Sequence, residues 1–579
     1  MSQSDVDADH IAALIIDGFD RHYRRFRALS AAAKGHFERS DWRGLRADSR
    51  ERIGSYNARV QEVVAQVHEQ VPSAANDTLW PQVKRAVLLR LLDHQQPELA
   101  ETFYNSVVCR VLQRGYFTNQ YLFWRQQVST AGLESTQPLY RAYFLSALGL
   151  AGTARAMVMD LALHGDWEDL ERDLVELERA LGALLPAGYM QRPSVCVQVA
   201  TPIFFRRHAA YVLGRVRAGP VDRPFSLPVR KTADGRFALE AFLADPDDLA
   251  GLISLSRAYF MADMEVPSAM VEFLRSVFPA RSPAELYTSL GLQKQGKTLF
   301  YRELMEHLRH SDDRFVIAPG VKGMVMCVFT LPSFPWVFKL IRDRFDPPKD
   351  ADRAFVKAQY LRVKLHDRVG RMADTWEFSD VALPLNRVSA ELLAELEARA
   401  PEMLERVGER LLIKHLYIER RLTPLDLYLK QASPDERRAA IIEYGEAITE
   451  LAQTNIFPGD LLLKNFGVSR QGRVIFYDYD EIAAVTECVF RALPTARHDE
   501  EEYAAEAWFS VGPHDIFPEE LPRFLFTNED DLRTFLEVHG ALATPGWWLA
   551  TQARLNRGEE ADVKAYPTDR TFAARRRQR

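Results

Sequence analysis

The sequence predicts an α+β protein, with a long, mostly α-helical first part and a second part in which strands and helices are mixed. Three observations carry this reading. From about residue 8 to 310, apolar residues recur at helical spacing with charges on the opposite face, as in VKRAVLLRLLDH (83–94) and DLERDLVELERALGALL (169–185). Near residue 313 the pattern changes to short β-rich runs set between glycine- and proline-containing turns. A chain of 579 residues also exceeds what one hydrophobic core usually supports, so two domains are expected, 1–310 and 311–579.

In the first part the clearest interruption is RAGPVDRPFSLPVRKTADGRF (217–237). Its prolines and Asp234-Gly235 predict a turn or short hairpin within a helical region. No repeat of fixed period is present, which argues against a solenoid. In the second part, RFVIAPGVKGMVMCVFTLP (314–332) and PWVFKLI (335–341) predict a three-stranded meander whose last strand ends on Lys339 and two further apolar residues. A helical pattern follows over 353–374 and is expected to end at Asp374. Strands are expected around WEFSDVALPL (376–385) and RLLIKHLYIE (410–419), and helices dominate again from Tyr428. The basic tail AARRRQR (573–579) reads as a frayed, solvated end of the second domain.

Bulk properties exclude several classes. A net charge of -6 gives no sign of a nucleic-acid partner. The acidic start MSQSDVDADH lacks an export signal's basic and apolar regions. The longest apolar stretches, 142–154 and 323–338, fall short of the roughly 20 residues a spanning helix needs, so no membrane is expected. Cys109, Cys196, Cys327 and Cys488 are far apart and form no C-x-x-C pair, which reads as reduced thiols of a cytoplasmic protein.

Chemistry concentrates in FPGDLLLKNFGV (457–468) and VIFYDYDE (474–481). Asp460 and Asn465 have the D-x-x-x-x-N spacing of phosphotransferase catalytic loops, where the aspartate orients the attacking hydroxyl and accepts its proton and the asparagine holds a metal ion. Asp478, leaving the next strand, would hold metal bridging the phosphates. Lys464 would stabilise the transferring phosphate. Alone, the spacing is weak: HGDWEDLE at His164 also contains a familiar-looking aspartate, Asp166, but has Glu171 where asparagine is needed.

Upstream parts occur in the matching order. APGVKGM (Ala318, Pro319, Gly320, Val321, Lys322, Gly323, Met324) lies between two strands, where Gly320 and Gly323 would let backbone amides approach ATP phosphates. An ordinary hairpin turn would explain two glycines as well. Lys339 is the expected third-strand lysine for the α- and β-phosphates, against the plainer reading of a snorkelling surface lysine. HLYIERRLTPLDLYL reads as strand, connector and helix start, where Glu419 and Arg420 would offer backbone groups to adenine.

Taken together, APGVKGMVM, FPWVFKLIRDRF, GRMADTWEF, HLYIERR, GDLLLKNFGV and FYDYDE resemble the bifunctional isocitrate dehydrogenase kinase/phosphatase family, over about residues 315 to 482. The resemblance implies a large α-helical regulatory domain followed by a bilobal protein-kinase-like domain. It implies a cytoplasmic enzyme that phosphorylates a serine of isocitrate dehydrogenase with ATP, inactivating it, and removes that phosphate in the presence of ADP. Flux would thereby be divided between the tricarboxylic acid cycle and the glyoxylate bypass. Mg2+, with Mn2+ as the alternative, is the implied metal, and adenine nucleotides and metabolites are implied effectors. By position, the family's ATP-binding segment falls on 318–324, its nucleotide lysine on Lys339 and its recognised active-site aspartate on Asp374. Because base and metal roles are already filled, Asp374 is expected beside the phosphates as the group that activates water for phosphate removal.

Departures from ordinary protein kinases are also legible. No glutamate occurs between Lys339 and Glu377, so the usual helix partner of the lysine is missing. FPGD stands for H-R-D and DYD for D-F-G, and there is no A-P-E, so the protein substrate is expected to dock through other surfaces, such as TARHDEEEYAAEAWF (495–509). Two other readings stay open. One is a small-molecule phosphotransferase of the same fold; the other is a pseudokinase-like binding module, which would be expected to have lost one of Lys339, Asp460, Asn465 or Asp478.

Overall fold

The computed structural model describes residues 2–578 except 117–118, 187, 191, 255–258, 347–350, 367–369, 495–508, 513, 560 and 562. The substrate-docking segment expected at 495–509 therefore lies, apart from Phe509, outside the described residues. Two compact units are present. The first contains residues 1–254, 258–311 and 566–579, and the second 312–565.

The first unit opens with α1 (Gln3–Glu38), whose Ser2 and Asp5 cap each other's backbone amides. Its buried stripe of Ile11, Ile15, Phe19, Tyr23 and Phe26 follows the helical period and packs on α2 (Trp42–Gln70), α3 (Trp80–Leu91) and α4 (Pro97–Val111). The short hairpin expected in this half is in fact the centre of a six-stranded antiparallel sheet. Its path is β1 (Tyr140–Phe144), β2 (Cys196–Ala200), β4 (Ala209–Ala218), β5 (Val221–Lys231) and β6 (Phe237–Leu239), with β3 (Phe204–Arg206) beside β4. Strands such as β2 are buried on both faces, so their residues do not alternate in polarity and their period is hidden from the sequence.

The C-terminal tail is a second correction. Residues 566–579 belong to the first unit, where Tyr566 and Phe572 are buried, Phe572 N–H donates to Glu240 O at 2.8 Å, and Arg570 pairs with Asp248 at 3.0 Å. Two aromatic anchors among arginines outweigh the charge that made the end look frayed.

In the second unit, β7 (Val316–Ile317), β8 (Met326–Thr330) and β9 (Trp336–Ile341) form the expected meander. The sheet continues through β12 (Arg410–Arg420) to β10 (Thr375–Pro384), and β11 (Leu404–Val407) joins β12. The helix expected over 353–374 covers Arg353–Leu365 (here α5), and Asp374 immediately precedes β10 instead of ending the helix. After a short connector, β13 (Thr423–Pro424) leads to α6 (Leu425–Gln431) and α7 (Pro434–Gln453). Helix α7 packs behind the hairpin of β14 (Phe466–Val468) and β15 (Val474–Phe476). One apolar core runs through this lobe and holds Tyr444, Leu451, Phe466, Phe476, Tyr479 and Trp548.

Candidate active site

A cavity of about 1230 Å³ opens between the sheet and the helical lobe of the second unit. Its wall contains all of 318–324, Lys339, Glu419, Asp460, Lys464, Asn465 and Asp478, residues scattered over 160 positions of sequence. Asp166 lies in the other unit.

The loop 318–324 spans β7 to β8. Gly320 has φ +122°, a backbone conformation that side-chain-bearing residues rarely adopt, and Val321, Lys322 and Gly323 are exposed. Lys322 pairs with Glu395. Lys339 lies on β9 with its ammonium 2.7 Å from Glu419 Oε2, donating also to Tyr477 O at 2.8 Å. Glu419 Oε1 in turn accepts from the Thr375 hydroxyl at 2.8 Å.

This corrects the expectation for Glu419. It lies within β12, between Val337 of β9 and Thr375 of β10, and its buried carboxylate supplies the partner that the lysine lacks on a helix. In the register, Tyr417 faces Lys339, so Glu419, two residues on, shares the face of the sheet on which the lysine lies. The connector proper starts at Arg421, whose N–H donates to Pro335 O at 3.0 Å. Gln359, on α5, lines the cavity nearby.

Below the sheet, Asp460 Oδ1 accepts from Asn465 Nδ2 at 2.6 Å and from Leu462 N–H at 3.1 Å. Because the Asn465 amide donates toward Asp460, its carbonyl oxygen is left as the acceptor end. Tyr477 joins the parts: its N–H donates to Asn465 O at 3.1 Å, its hydroxyl donates to Lys464 O, and its ring lies 4.9 Å from the Lys339 ammonium. Burial, then the charges of Asp478, Asp426 and Glu419, raise the Tyr477 hydroxyl pKa, which keeps it a donor. Among the described residues the Lys464 ammonium has no ion-pair partner.

Asp374 is placed differently from expectation. It is half-buried, and among the described residues the cavity lining does not include it. Its neighbours hold it firmly: Ala373 N–H donates to Phe476 O at 3.0 Å, and Tyr479 donates to Ala373 O at 2.7 Å. One residue on, Thr375 reaches Glu419, and so Asp374 adjoins the chain of contacts that ends on Lys339.

Two features escaped sequence reasoning. Asp426, at the start of α6, lines the cavity with a buried Oδ1 that has no hydrogen-bond partner among the described residues. Arg371 is fully buried and bonds Glu443 at 2.6 Å, Glu450, and Val474 O at 3.2 Å, clamping the segment before β10 to α7 and β15. Burial opposes the Arg371 charge, and Glu450 and Glu443 more than offset it, so its pKa is raised. The alternation of charge in GRMAD carries no hint of that pairing.

Comparison with known proteins agrees with this geometry. The family model described as isocitrate dehydrogenase kinase/phosphatase (AceK) kinase domain matches residues 313–568, and that of the AceK regulatory domain matches 12–312. This chain belongs to the isocitrate dehydrogenase kinase/phosphatase family. Proteins named isocitrate dehydrogenase kinase/phosphatase from Burkholderia mallei (strain SAVP1), Burkholderia pseudomallei (strain 1106a) and Burkholderia thailandensis are each 48% identical to it over 574 residues, 98% of this chain and 94% of theirs. As a member of the isocitrate dehydrogenase kinase/phosphatase family it carries a kinase domain, and a kinase uses ATP. No helix among the described residues is long and apolar enough to cross a membrane.

Proposed function

We infer that this chain is an ATP-dependent kinase of isocitrate dehydrogenase that also removes the phosphate it adds, and so sets the division of carbon between the tricarboxylic acid cycle and the glyoxylate bypass. The observation that carries the site reading is the convergence of Lys339, Asp460, Asn465 and Asp478 on one cavity. In the forward direction a serine hydroxyl of the dehydrogenase attacks the γ-phosphorus. The bond to the ADP oxygen breaks, and the serine proton passes to Asp460. Lys339, held by Glu419, faces the phosphates, the 318–324 loop supplies backbone amides, and Lys464 neutralises charge on the transferring group. The Asn465 carbonyl oxygen and the Asp478 carboxylate are hard oxygen donors that suit Mg2+ or Mn2+, which when bound would neutralise phosphate charge.

For phosphate removal, Asp374 orients and deprotonates water. Its support is the family position and its place one residue before Thr375, which bonds the Glu419 that pairs with Lys339. Adenine nucleotides and central metabolites are the expected effectors. The test is incubation with labelled ATP, magnesium and purified isocitrate dehydrogenase. Label on the dehydrogenase, released when ADP replaces ATP, supports the whole reading; label transferred only to small hydroxylated acceptors would favour a small-molecule phosphotransferase, and no transfer a nucleotide-binding module.

A further inference from the structure

Asp460 sits in a backbone turn that the chain does not adopt freely. Gly459 has φ +90° and Leu461 has φ +54°, and Leu461 is a buried, side-chain-bearing residue in the left-handed region. Such a conformation persists only where the surroundings over-determine it. Here the surrounding group is Tyr444, on α7, with 0% of its surface exposed; its hydroxyl donates to Leu461 O. The ring is fixed edge-on against Phe466 at 5.0 Å and Phe526 at 6.0 Å, so the hydroxyl has little freedom to turn away.

The Leu461 carbonyl and the Leu462 N–H belong to one peptide unit, and that unit is planar. Tyr444 bonds one edge of the plane, and the other edge donates to Asp460 Oδ1 at 3.1 Å. Turning the plane would orphan a buried carbonyl and withdraw the N–H from the carboxylate in one motion. Burial, and then the charge of Asp460, raise the Tyr444 hydroxyl well above the usual range, and it remains a donor at working pH.

We propose that Tyr444 is a positioning residue for phosphoryl transfer: its buried hydroxyl locks the strained Leu461–Leu462 peptide and thereby aims the Asp460 carboxylate. This rests on the reading of Asp460 as the residue that orients and deprotonates the acceptor hydroxyl. It accounts for two things together, a tyrosine hydroxyl buried in the core and bonded to a loop carbonyl, and a leucine at positive φ beside the catalytic aspartate.

The test is a double-mutant cycle in the full-length enzyme with isocitrate dehydrogenase, ATP and magnesium. Y444F should lower kcat at least about tenfold, within the roughly hundredfold that a misplacement of about 1 Å costs, while KM for ATP changes little and the melting temperature falls modestly, because the buried Leu461 carbonyl loses its donor. L461G removes the Cβ clash and also a buried side chain, so the four variants are compared at equal folded fraction; in that background positive φ carries no strain and Y444F should change kcat by less than about twofold. An unchanged kcat in Y444F overturns the proposal, as does the same loss in both backgrounds, which is the signature of core packing alone. Should Y444F be unfolded at the assay temperature, the cycle is run below its melting temperature, where a loss confined to the Leu461 background supports the lock and an equal loss in both backgrounds overturns it. D460N is measured alongside. An active D460N defeats the reading of Asp460 itself, whereas an inactive D460N with an unaffected Y444F defeats only the role of Tyr444.

Discussion

The Lys339 ammonium lies 2.7 Å from Glu419 Oε2, and both residues are on strands, β9 and β12, of one sheet. The pair is thus held by strand register and not by the placement of a helix. Both side chains are almost fully buried, and removing one leaves the other charge uncompensated. Lys339→Ala should therefore cost roughly 3–5 kcal/mol of stability as well as ATP binding. The double variant K339M/E419L should melt above either single variant, because two apolar side chains leave no buried charge. Differential scanning calorimetry checks this, and a double variant melting below both singles would contradict it.

Asp460→Ala and Asp478→Ala should each abolish phosphoryl transfer, one losing the group that orients the hydroxyl and the other an oxygen donor for metal, with losses of about 10²–10⁴ or more. Lys464→Met should lower kcat more than it raises KM. Steady-state assays on folded variants decide both points; near-normal rates for either aspartate variant would remove its assignment.

Asp374→Ala should keep most kinase activity, since in that direction the nucleophile is the serine hydroxyl served by Asp460 and no water has to be activated. Release of phosphate from phosphorylated isocitrate dehydrogenase should fall at least about tenfold, the low end of what a positioned base contributes. Both activities are measured on one preparation. Equal losses would mean that Asp374 acts only through the Thr375–Glu419–Lys339 contacts.

The first unit carries a pH-sensitive carboxyl. Burial raises Glu98 from 4.5 to about 7, with Tyr287 donating to Oε1 at 3.0 Å and Oε2 left without a partner among the described residues. The folded state therefore holds a proton that the unfolded chain gives up. The stabilisation is full below about pH 4.5 and is lost as pH rises through about 7. Glu98→Gln should flatten this dependence, so that the variant gains on the wild type by a few kcal/mol between about pH 5 and about pH 8. Thermal melts at both ends of the range measure it; parallel curves would exclude a titrating Glu98.

Phe572→Ala should destabilise the first unit by roughly 3–5 kcal/mol, the usual cost of emptying a buried aromatic site. A merely solvated tail would show no change in the same melt.

The sequence alone determined the order of the parts: the glycine loop, the lysine strand, the D-x-x-x-x-N turn and the aspartate after the next strand. Each is a local matter of backbone preference and residue type, and each is where it was expected. It also determined the helical character of α1 to α4 in the first unit, because amphipathic period is a local signal. What it left open is pairing across distance. Glu419 became the partner of Lys339 only when β12 lay beside β9 in a particular register, and Arg371 found Glu443 and Glu450 only across packed elements. The six-stranded sheet of the first unit and the docking of residues 566–579 likewise depended on tertiary burial, which hides the polar–apolar alternation that a sequence reading needs. The lock of Tyr444 on Leu461 belongs to the same class. A tyrosine in an apolar helix reads as core until the fold aims its hydroxyl at one carbonyl.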